Sequence, residues 1–419
     1  MLDKRPYEPL DVGTLPRRLA AAPGLADRLG PAERWRVREV GDGNLNLVFI
    51  IEGPLGSAIA KQALPYARCV GDSWPMSLER SYFEYHALVR LGQRDPGRLP
   101  QIHAFDQEQA LIVMDYLTPH VILRKSLMAA DVLAHLDRQM GQYLARTLFR
   151  GSDFAMETAH RKRDLALFAG NVELCGISED LIFTDPFCVS PRNRITPGLE
   201  EDAAAVRGDR DLKLATAALK RKFSTRAETL LHGDFHSGSV MVTAQDSRVI
   251  DPEFAFYGPM GFDIGAFVGN LLMAYFAQAG LGADEHARDA YEDWILQLME
   301  GVWASFEEEF AQLWRTERTG MLGLAELFED TGDAQGAEAA LAALLQDVWR
   351  DTLGFAGIEM HRRILGLAHI PEFESIEDEV LRAACERRAL AMGRRLMLEA
   401  DTLADPRQVS RLARSVRIA

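Results

Sequence analysis

Cysteine is scarce. There are four in 419 residues, Cys69, Cys175, Cys188 and Cys385, and no two are spaced C-x-x-C. That spacing excludes a zinc knuckle and a thioredoxin-type redox pair, and the thiols read as those of a protein in a reducing compartment. No stretch reaches the roughly 18 consecutive apolar residues that a membrane helix needs, so no membrane span is expected. The opening residues, MLDKRPYEPLDVGTLPRRL, lack a secretory apolar core, and the expectation is a cytoplasmic protein. Positive charge is in deficit, 47 Lys and Arg against 62 Asp and Glu, a formal net charge of -15. Such a surface repels nucleic-acid backbones and anionic membranes, so neither is expected as a partner. An anionic nucleotide is still admissible, because a few local donors and a bound cation reverse the field of a small site. Internal repeats and low-complexity tracts are also absent.

What is present suits a globular protein of two domains. From Trp35 the texture is β-rich. WRVREVG, NLVFIIEG and SAIAKQAL alternate like strands, with GDGN as turn chemistry between the first two. In GDSWPMSLERSYFEYHALVRL, Pro75 and Ser77 are helix-start signals, and Leu78, Tyr82, Tyr85 and Val89 form an apolar stripe at helical spacing. QIHAFDQ and ALIVMDYL read as two further strands. Beyond residue 117 helical spacing prevails, over 126–150, 153–174, 201–222, 262–280, 285–315, 336–370 and 374–402, interrupted by the strand-like SVMVT and RVIDP. The expected fold is α+β with two lobes: residues 1–117 form a small antiparallel-sheet lobe and 118–419 a large, mainly helical one. Ligands commonly bind in the cleft of such an arrangement.

Two stretches carry chemistry. GDGNLN, residues 41–46, lies between strands, where glycines let a backbone fold over phosphates and aim N–H groups at them. Its last residue is Asn46, so it is not G-x-G-x-x-G, and it lacks the G-K-[ST] of a P-loop. Taken alone it reads as a hairpin turn. Lys61 shifts that reading. A lysine inside the apolar run IAKQAL needs a partner, and a strand lysine paired with a helix carboxylate is a known way to hold nucleotide phosphates. Glu84 is the preferred partner and Glu79 the second choice. The alternative is an edge lysine pointing to water.

The second stretch is HGDFHSGSVMVTAQDSRVIDPEF, residues 232–254. Phosphoryl transfer asks the protein for a metal site and for a carboxylate that positions the attacking hydroxyl. Asp234 suits the second task, accepting the hydroxyl's hydrogen bond and its proton. Asp251 and Glu253, two apart in an extended chain, would face one side and offer hard oxygen ligands to Mg²⁺. His232 and His236 are four apart, as in zinc-binding helices, but Gly233 and the missing glutamate argue against that use. Ser237 and Ser239 lack a G-x-S-x-G context. The remaining alternative is that these acids are ordinary turn residues.

Together the glycine loop, the strand lysine, HGD and Asp-x-Glu resemble the aminoglycoside-phosphotransferase and choline-kinase branch of the protein-kinase-like fold. GDGNLNLVF, DSWPMSLERSYFE, LIFTDPFCVSPRNR, HGDFHSGSVMV, DPEFAFYGPMGFDIGAF and HRRILGLAHI narrow the resemblance to the S-methyl-5-thioribose kinase family, over residues 41 to 370. The resemblance implies transfer of phosphate from ATP to the 1-hydroxyl of methylthioribose, with Mg²⁺, in methionine salvage, by a homodimer. It implies that Gly41, Gly43, Asn44, Lys61 and Glu84 serve the ATP phosphates and that Asp115, Tyr116 and Leu117 receive adenine. It implies Asp234 as base, Asp251 and Glu253 as metal ligands, and Arg362 and Arg363 as contacts to sugar and transferring phosphate. Neighbouring helix residues point about 100° apart, so from the residues alone that arginine pair reads as a solvated basic face. Where protein kinases carry asparagine after the catalytic Asp this chain has Ser239, and Glu253 stands where they carry the glycine of D-F-G. A kinase of a related sugar such as 5-deoxyribose, another small-molecule phosphotransferase, a nucleotide-binding regulator and a zinc hydrolase are the competing readings.

Overall fold

The structure, a computed structural model, describes residues 6–41, 45–67, 71–281 and 285–418. Gly43, Asn44 and Cys69 lie outside the described residues. The chain is α+β and divides into two compact units. The first comprises residues 1–120 with 171–174 and 248–255, and the second holds the rest. The sequence reading divides the chain once, after residue 117. The first unit also takes in the segment that bears Asp251 and Glu253.

The first unit is built on a five-stranded antiparallel sheet. In chain order its elements are α1 (Leu15–Leu19), α2 (Leu25–Leu29), β1 (Arg36–Glu39), β2 (Asn46–Glu52), β3 (Ser57–Ala63), β4 (Tyr66–Ala67), β5 (Gly71–Pro75), α3 (Arg80–Arg94), β6 (Ile102–Asp106) and β7 (Leu111–Asp115). The sheet order is β1-β2-β3-β7-β6, which makes β3 central, with Lys61 opposite Val48 on one side and Ile112 on the other. Alternation sends Phe49, Ile51, Ala58, Ala60, Leu111 and Val113 to one face, where they pack with Leu10, Leu15, Leu19, Leu25 and Leu29. Each such buried leucine contributes about 1.5–3 kcal/mol. Residues 10–29 are therefore the cover of the sheet.

Polar groups fasten that cover to β3. The buried Gln62 accepts from Leu10 N at 2.8 Å and donates to Glu8 O at 2.9 Å and Gln109 O at 3.0 Å. Tyr7 Oη donates to Ala63 O at 2.9 Å, and Arg18 forms a buried ion pair with Asp106 at 2.7 Å. Gln62 shares the Ala58–Ala60 face, so Lys61 points to the other.

Two expectations need correction here. GDSWP is a strand paired with β4, and the helix begins only at Arg80. Ser77 makes a turn ahead of the helix, its Oγ accepting from Glu79 N. The buried face of α3 is Arg80, Phe83, Glu84, Ala87, Leu88 and Leu91, whereas Leu78, Tyr82, Tyr85 and Val89 are only half-buried. The helix is rotated by about one position, which brings a carboxylate rather than a tyrosine to the inner face.

The second unit is mainly helical. Its elements are β8 (Val121–Ile122), α4 (Leu123–Met128), α5 (Leu136–Arg150), α6 (Thr158–Phe168), α7 (Val172–Leu181), α8 (Glu200–Gly208), α9 (Arg210–Thr225), β9 (Thr229–Leu230), β10 (Val240–Val242), β11 (Ser247–Val249), β12 (Tyr257–Gly258), α10 (Gly261–Ala277), α11 (Glu285–Thr316), α12 (Ala334–Leu365), α13 (Pro371–Glu374), α14 (Glu379–Leu398) and α15 (Pro406–Ile418). The first residues of α7 and the last of β11 belong to the first unit. Every residue of α10 is buried, as befits a helix apolar on all sides. It packs along α12, which in turn packs along α14. Close approach is set by glycine: a Cβ on Gly265 would come within 2.7 Å of Phe355 Cβ and of Thr352 O. No helix among the described residues is long and apolar enough to cross a membrane.

Candidate active site

In the first unit the site grows from Lys61. The buried ammonium donates to Glu84 Oε1 at 2.8 Å, pairs closely with Asp251, and lies 4.0 Å from Glu253. Glu84, on the inner face of α3, is the partner; Glu79 is exposed at the helix start. Burial opposes charge on Lys61, but Asp251, Glu84 and Glu253 outweigh it and hold its pKa above the usual lysine value. Burial pushes the Glu84 carboxyl up to about 8 against the pull of Lys61, and Asp251 and Glu253 add to the rise.

Asp251 and Glu253 do not reach this cluster along an extended strand. Asp251 has φ of 72° and Glu253 lies in a turn, so the alternation argument fails and a bent backbone brings the two acids together. Asn171 fixes the bend, its Nδ2 donating to Glu253 O at 2.9 Å and Ala255 O at 3.0 Å. Asn46 Nδ2 donates to Glu253 Oε2 at 3.0 Å, and Arg80 donates to Asn46 Oδ1 at 3.0 Å and Leu45 O at 2.9 Å. Asn46 is the residue that departs from the glycine pattern of GDGNLN, and that departure is the signal that could have singled it out.

The cluster has three carboxylates, Glu84, Asp251 and Glu253, facing two cations, Lys61 and Arg80. The all-oxygen donor set of these carboxyl groups fits a hard divalent cation such as Mg²⁺. Among the described residues no group of three or more Asp, Glu, His and Cys side chains is arranged as a metal cage. Mg²⁺ is ordinarily held by one or two carboxylates and completed by water and phosphate.

Asp115 ends β7. Its N–H donates to Gln101 O at 3.0 Å, and its carboxylate accepts from Gln101 N at 3.0 Å and contacts His103 Nε2 at 2.8 Å. Tyr116 Oη meets Arg38 at 3.4 Å. Gly41 lies exposed in the turn after β1.

In the second unit the site grows from the loop after β9. Residues 232–238 form a loop, so the helical zinc spacing of His232 and His236 does not arise. Gly233 has φ of 86°, a conformation open to glycine at no steric cost. Asp263, in the first turn of α10, accepts from His232 N at 2.7 Å and Gly233 N at 3.0 Å. Ser239 Oγ donates to Asp234 O at 2.9 Å, so it braces the loop.

Asp234 Oδ1 accepts from Arg362 Nη1 at 3.2 Å and Arg363 Nη2 at 3.3 Å, while Oδ2 lies 3.2 Å from His236 Nε2. Burial would raise its pKa; His236, Arg362 and Arg363 overcome that and hold it well below the carboxylate range. His236 Nδ1 accepts from Gly238 N at 2.8 Å, which leaves Nε2–H to face Asp234. Burial, with Arg363 and Arg124 nearby, lowers the His236 pKa to about 4 against the pull of Asp234, so the ring is neutral at pH 7.

The arginine pair is not a solvated face. Arg362 and Arg363 are buried in the last turn of α12 and both reach Asp234. Their long side chains converge because one acid holds both: Glu359 accepts from Arg362 Nη1 at 3.1 Å and Arg363 Nε at 2.6 Å. Sequence reasoning missed Glu359, although E-x-x-R-R places it three and four residues from the pair, the spacing of helical neighbours. Arg124 of α4 and the buried Glu372 of α13, 3.1 Å apart, also went unread.

Residues 36–308 match the phosphotransferase enzyme family. The chain is 46% identical over 387 residues to methylthioribose kinase 1 of Oryza sativa subsp. japonica, covering 92% of this chain and 90% of that one. It is 45% identical over 403 residues to a methylthioribose kinase of Escherichia coli O45:K1, covering 94% of each. Among solved structures, a glucosamine kinase in complex with glucosamine, ADP and inorganic phosphate matches with a TM-score of 0.48 and 15% identity, over 91% of this chain and 86% of that one.

Proposed function

We propose, for a chain that belongs to the phosphotransferase enzyme family and within it to the methylthioribose kinases, that it transfers the γ-phosphoryl group of ATP to the 1-hydroxyl of S-methyl-5-thio-D-ribose. The observation that carries the reading in this molecule is Asp234, kept ionised by two buried arginines that share one carboxylate oxygen. A kinase needs such a group to align an alcohol for attack.

In this reading Lys61, oriented by Glu84, contacts the ATP phosphates, with Gly41, Gly43 and Asn44 covering them. Asp115, Tyr116 and Leu117 receive adenine. Since the Asp115 N–H is already committed to Gln101, its contribution is the carbonyl. Asp251 and Glu253 would hold Mg²⁺, which when bound supplies positive charge to the phosphate oxygens. Asp234 accepts the hydrogen bond of the sugar hydroxyl and takes its proton as the oxygen bonds to phosphorus. A carboxylate with so low a pKa is a weak proton store, so its main work is orientation, in keeping with a loose transition state that makes little early demand on a base. Arg362 and Arg363 face the charge that spreads over the transferring group. A homodimer in the cytoplasm, serving methionine salvage, completes the reading.

The test is ATP consumption by the purified chain with methylthioribose and, side by side, 5-deoxyribose. Methylthioribose is expected to give the higher kcat/KM, by about 10- to 200-fold if the pocket reads the methylthio group. Equal or better use of 5-deoxyribose would move the assignment to that sugar, and no turnover with either would overturn it.

A further inference from the structure

Asn270 lies in the middle of α10 and is fully buried. Its side chain joins the two groups that aim Asp234 and its arginines. Nδ2 donates to Glu359 Oε1 at 3.2 Å, the oxygen that also holds Arg363, and to Ala266 O at 3.0 Å. Oδ1 accepts from Ser237 Oγ at 3.2 Å and Arg124 Nη2 at 3.5 Å. Ser237 is three residues beyond Asp234, and its carbonyl accepts from Arg124 N at 3.1 Å. The contact across helices is possible because α10 and α12 touch through glycine: a Cβ on Gly269 would stand 2.9 Å from Ala356 O and 3.4 Å from Glu359 Cβ.

The charges around this residue balance. Asp234, Glu359 and Glu372 face Arg124, Arg362 and Arg363, three against three, with His236 beside Arg124. Ser237 Oγ also lies 3.3 Å from Glu372. Charges of α11 and α14, which also pack on α10, gather elsewhere: Arg288, Glu292, Glu386 and Arg388 about Cys385, and Glu292 and Asp293, with Arg414 and Arg417 of α15, about Tyr275. A hub at this place must donate to one carboxylate, accept from a hydroxyl and a guanidinium, and carry no charge. An amide does all three, an aspartate would add a fourth anion, and an alanine or leucine offers no polar group.

We propose that Asn270 is a positioning residue of the phosphoryl transfer, an uncharged link that couples Glu359, and through it Arg362 and Arg363, to the loop bearing Asp234. The inference rests on the kinase reading above.

The experiment compares the parent chain with Asn270→Ala, Asn270→Asp and Ser237→Ala, measuring kcat, KM for each substrate and melting temperature. Activity of the parent is established first: an inactive parent defeats the kinase reading, whereas an active parent with indifferent variants defeats only the role of Asn270. Asn270→Ala is expected to lower kcat roughly tenfold or more, because displacement of an aligned group by an ångström is that costly, while KM for ATP stays within about twofold. Asn270→Asp carries a signature that mere space-filling cannot produce. Beside Glu359 the new carboxyl has a raised pKa, and once protonated it donates and accepts as the amide did. Its kcat relative to the parent is therefore expected to rise severalfold as pH falls from about 8 to about 6, and to be lost as pH climbs through the raised pKa. Ser237→Ala, which removes one partner and no charge, is expected to lower kcat severalfold and serves if the helix variants do not fold. A ratio of Asn270→Asp to parent that does not change with pH, or parental kcat in Asn270→Ala or Ser237→Ala, overturns the proposal.

Discussion

Replacing Asp234 with asparagine keeps the side chain's size and removes its charge. Arg362 and Arg363 would then face a neutral amide, and the sugar hydroxyl would lose its acceptor. Turnover is expected to fall about 10²- to 10⁴-fold, the range for a positioned acid or base. Nucleotide affinity is expected to stay near the parent's, because Lys61, Glu84, Asp251 and Glu253 belong to the other unit. Steady-state kinetics with an ATP titration check this, and a matching loss of ATP affinity would contradict it. The depressed pKa of Asp234 and the neutral His236 add a pH expectation. Asp234 is charged throughout the range from about pH 5 to 8, so loss of activity within it does not come from protonating this residue. At this scale the sequence was informative where a residue type is costly. A lysine in an apolar strand demands a carboxylate, which pointed to Glu84. It was silent where a polar residue serves another: Asn171 and Asn270 look like any buried or turn asparagine until their partners, distant in the chain, are known.

At the scale of elements, α10 and α12 approach each other through glycine, and Gly265 is a tight case, pressed against both a side chain and a backbone carbonyl. Gly265→Ala is expected to cost about 1–3 kcal/mol by overpacking, despite the better helix propensity of alanine. Thermal unfolding would show a melting temperature several degrees lower; an unchanged or higher value would mean that the helices accommodate a methyl group there. The strands of the sheet were legible because they alternate, and the long helices because their runs far exceed the length of a strand, even where, as in α10, every side is buried. The start of α3 was not. Pro75 and Ser77 are as good at opening a turn as at opening a helix, and only the pairing of β5 with β4 decides between them. The phase of α3 escaped for a related reason. An apolar stripe predicts which face is buried, but Lys61 draws Glu84, and Asn46 draws Arg80, to the inside. The last helix, α15, carries four arginines, Arg407, Arg411, Arg414 and Arg417, which obscured its apolar face. Two of them, Arg414 and Arg417, pair with Asp293 and Asp289 of α11.

For the whole molecule, the first unit is discontinuous. Residues 1–120 contain Lys61 and Glu84, but Asn171, Asp251 and Glu253 come from two later visits of the chain. A fragment ending at residue 120 would keep the buried lysine with one of its three carboxylates and none of the proposed metal ligands. It is expected to bind ATP at least about tenfold more weakly than the full chain and to lose any dependence of that binding on Mg²⁺, since the ligands that would hold the ion are absent. Calorimetric titration with and without Mg²⁺ checks this. Binding equal to that of the full chain would remove Asp251 and Glu253 from the nucleotide site.

The fastening of residues 6–10 to Gln62 and Gln109 also bears on how the protein is handled. Pro6, Glu8 and Leu10 are hydrogen-bonded to Gln109 and Gln62, so a label attached within residues 6–10 would sit on a peptide tied to the strand of Lys61. Drag or crowding there would reach the central strand of the sheet before any loop could absorb it. Ile418, by contrast, is exposed in α15 of the second unit, and a label is better attached there.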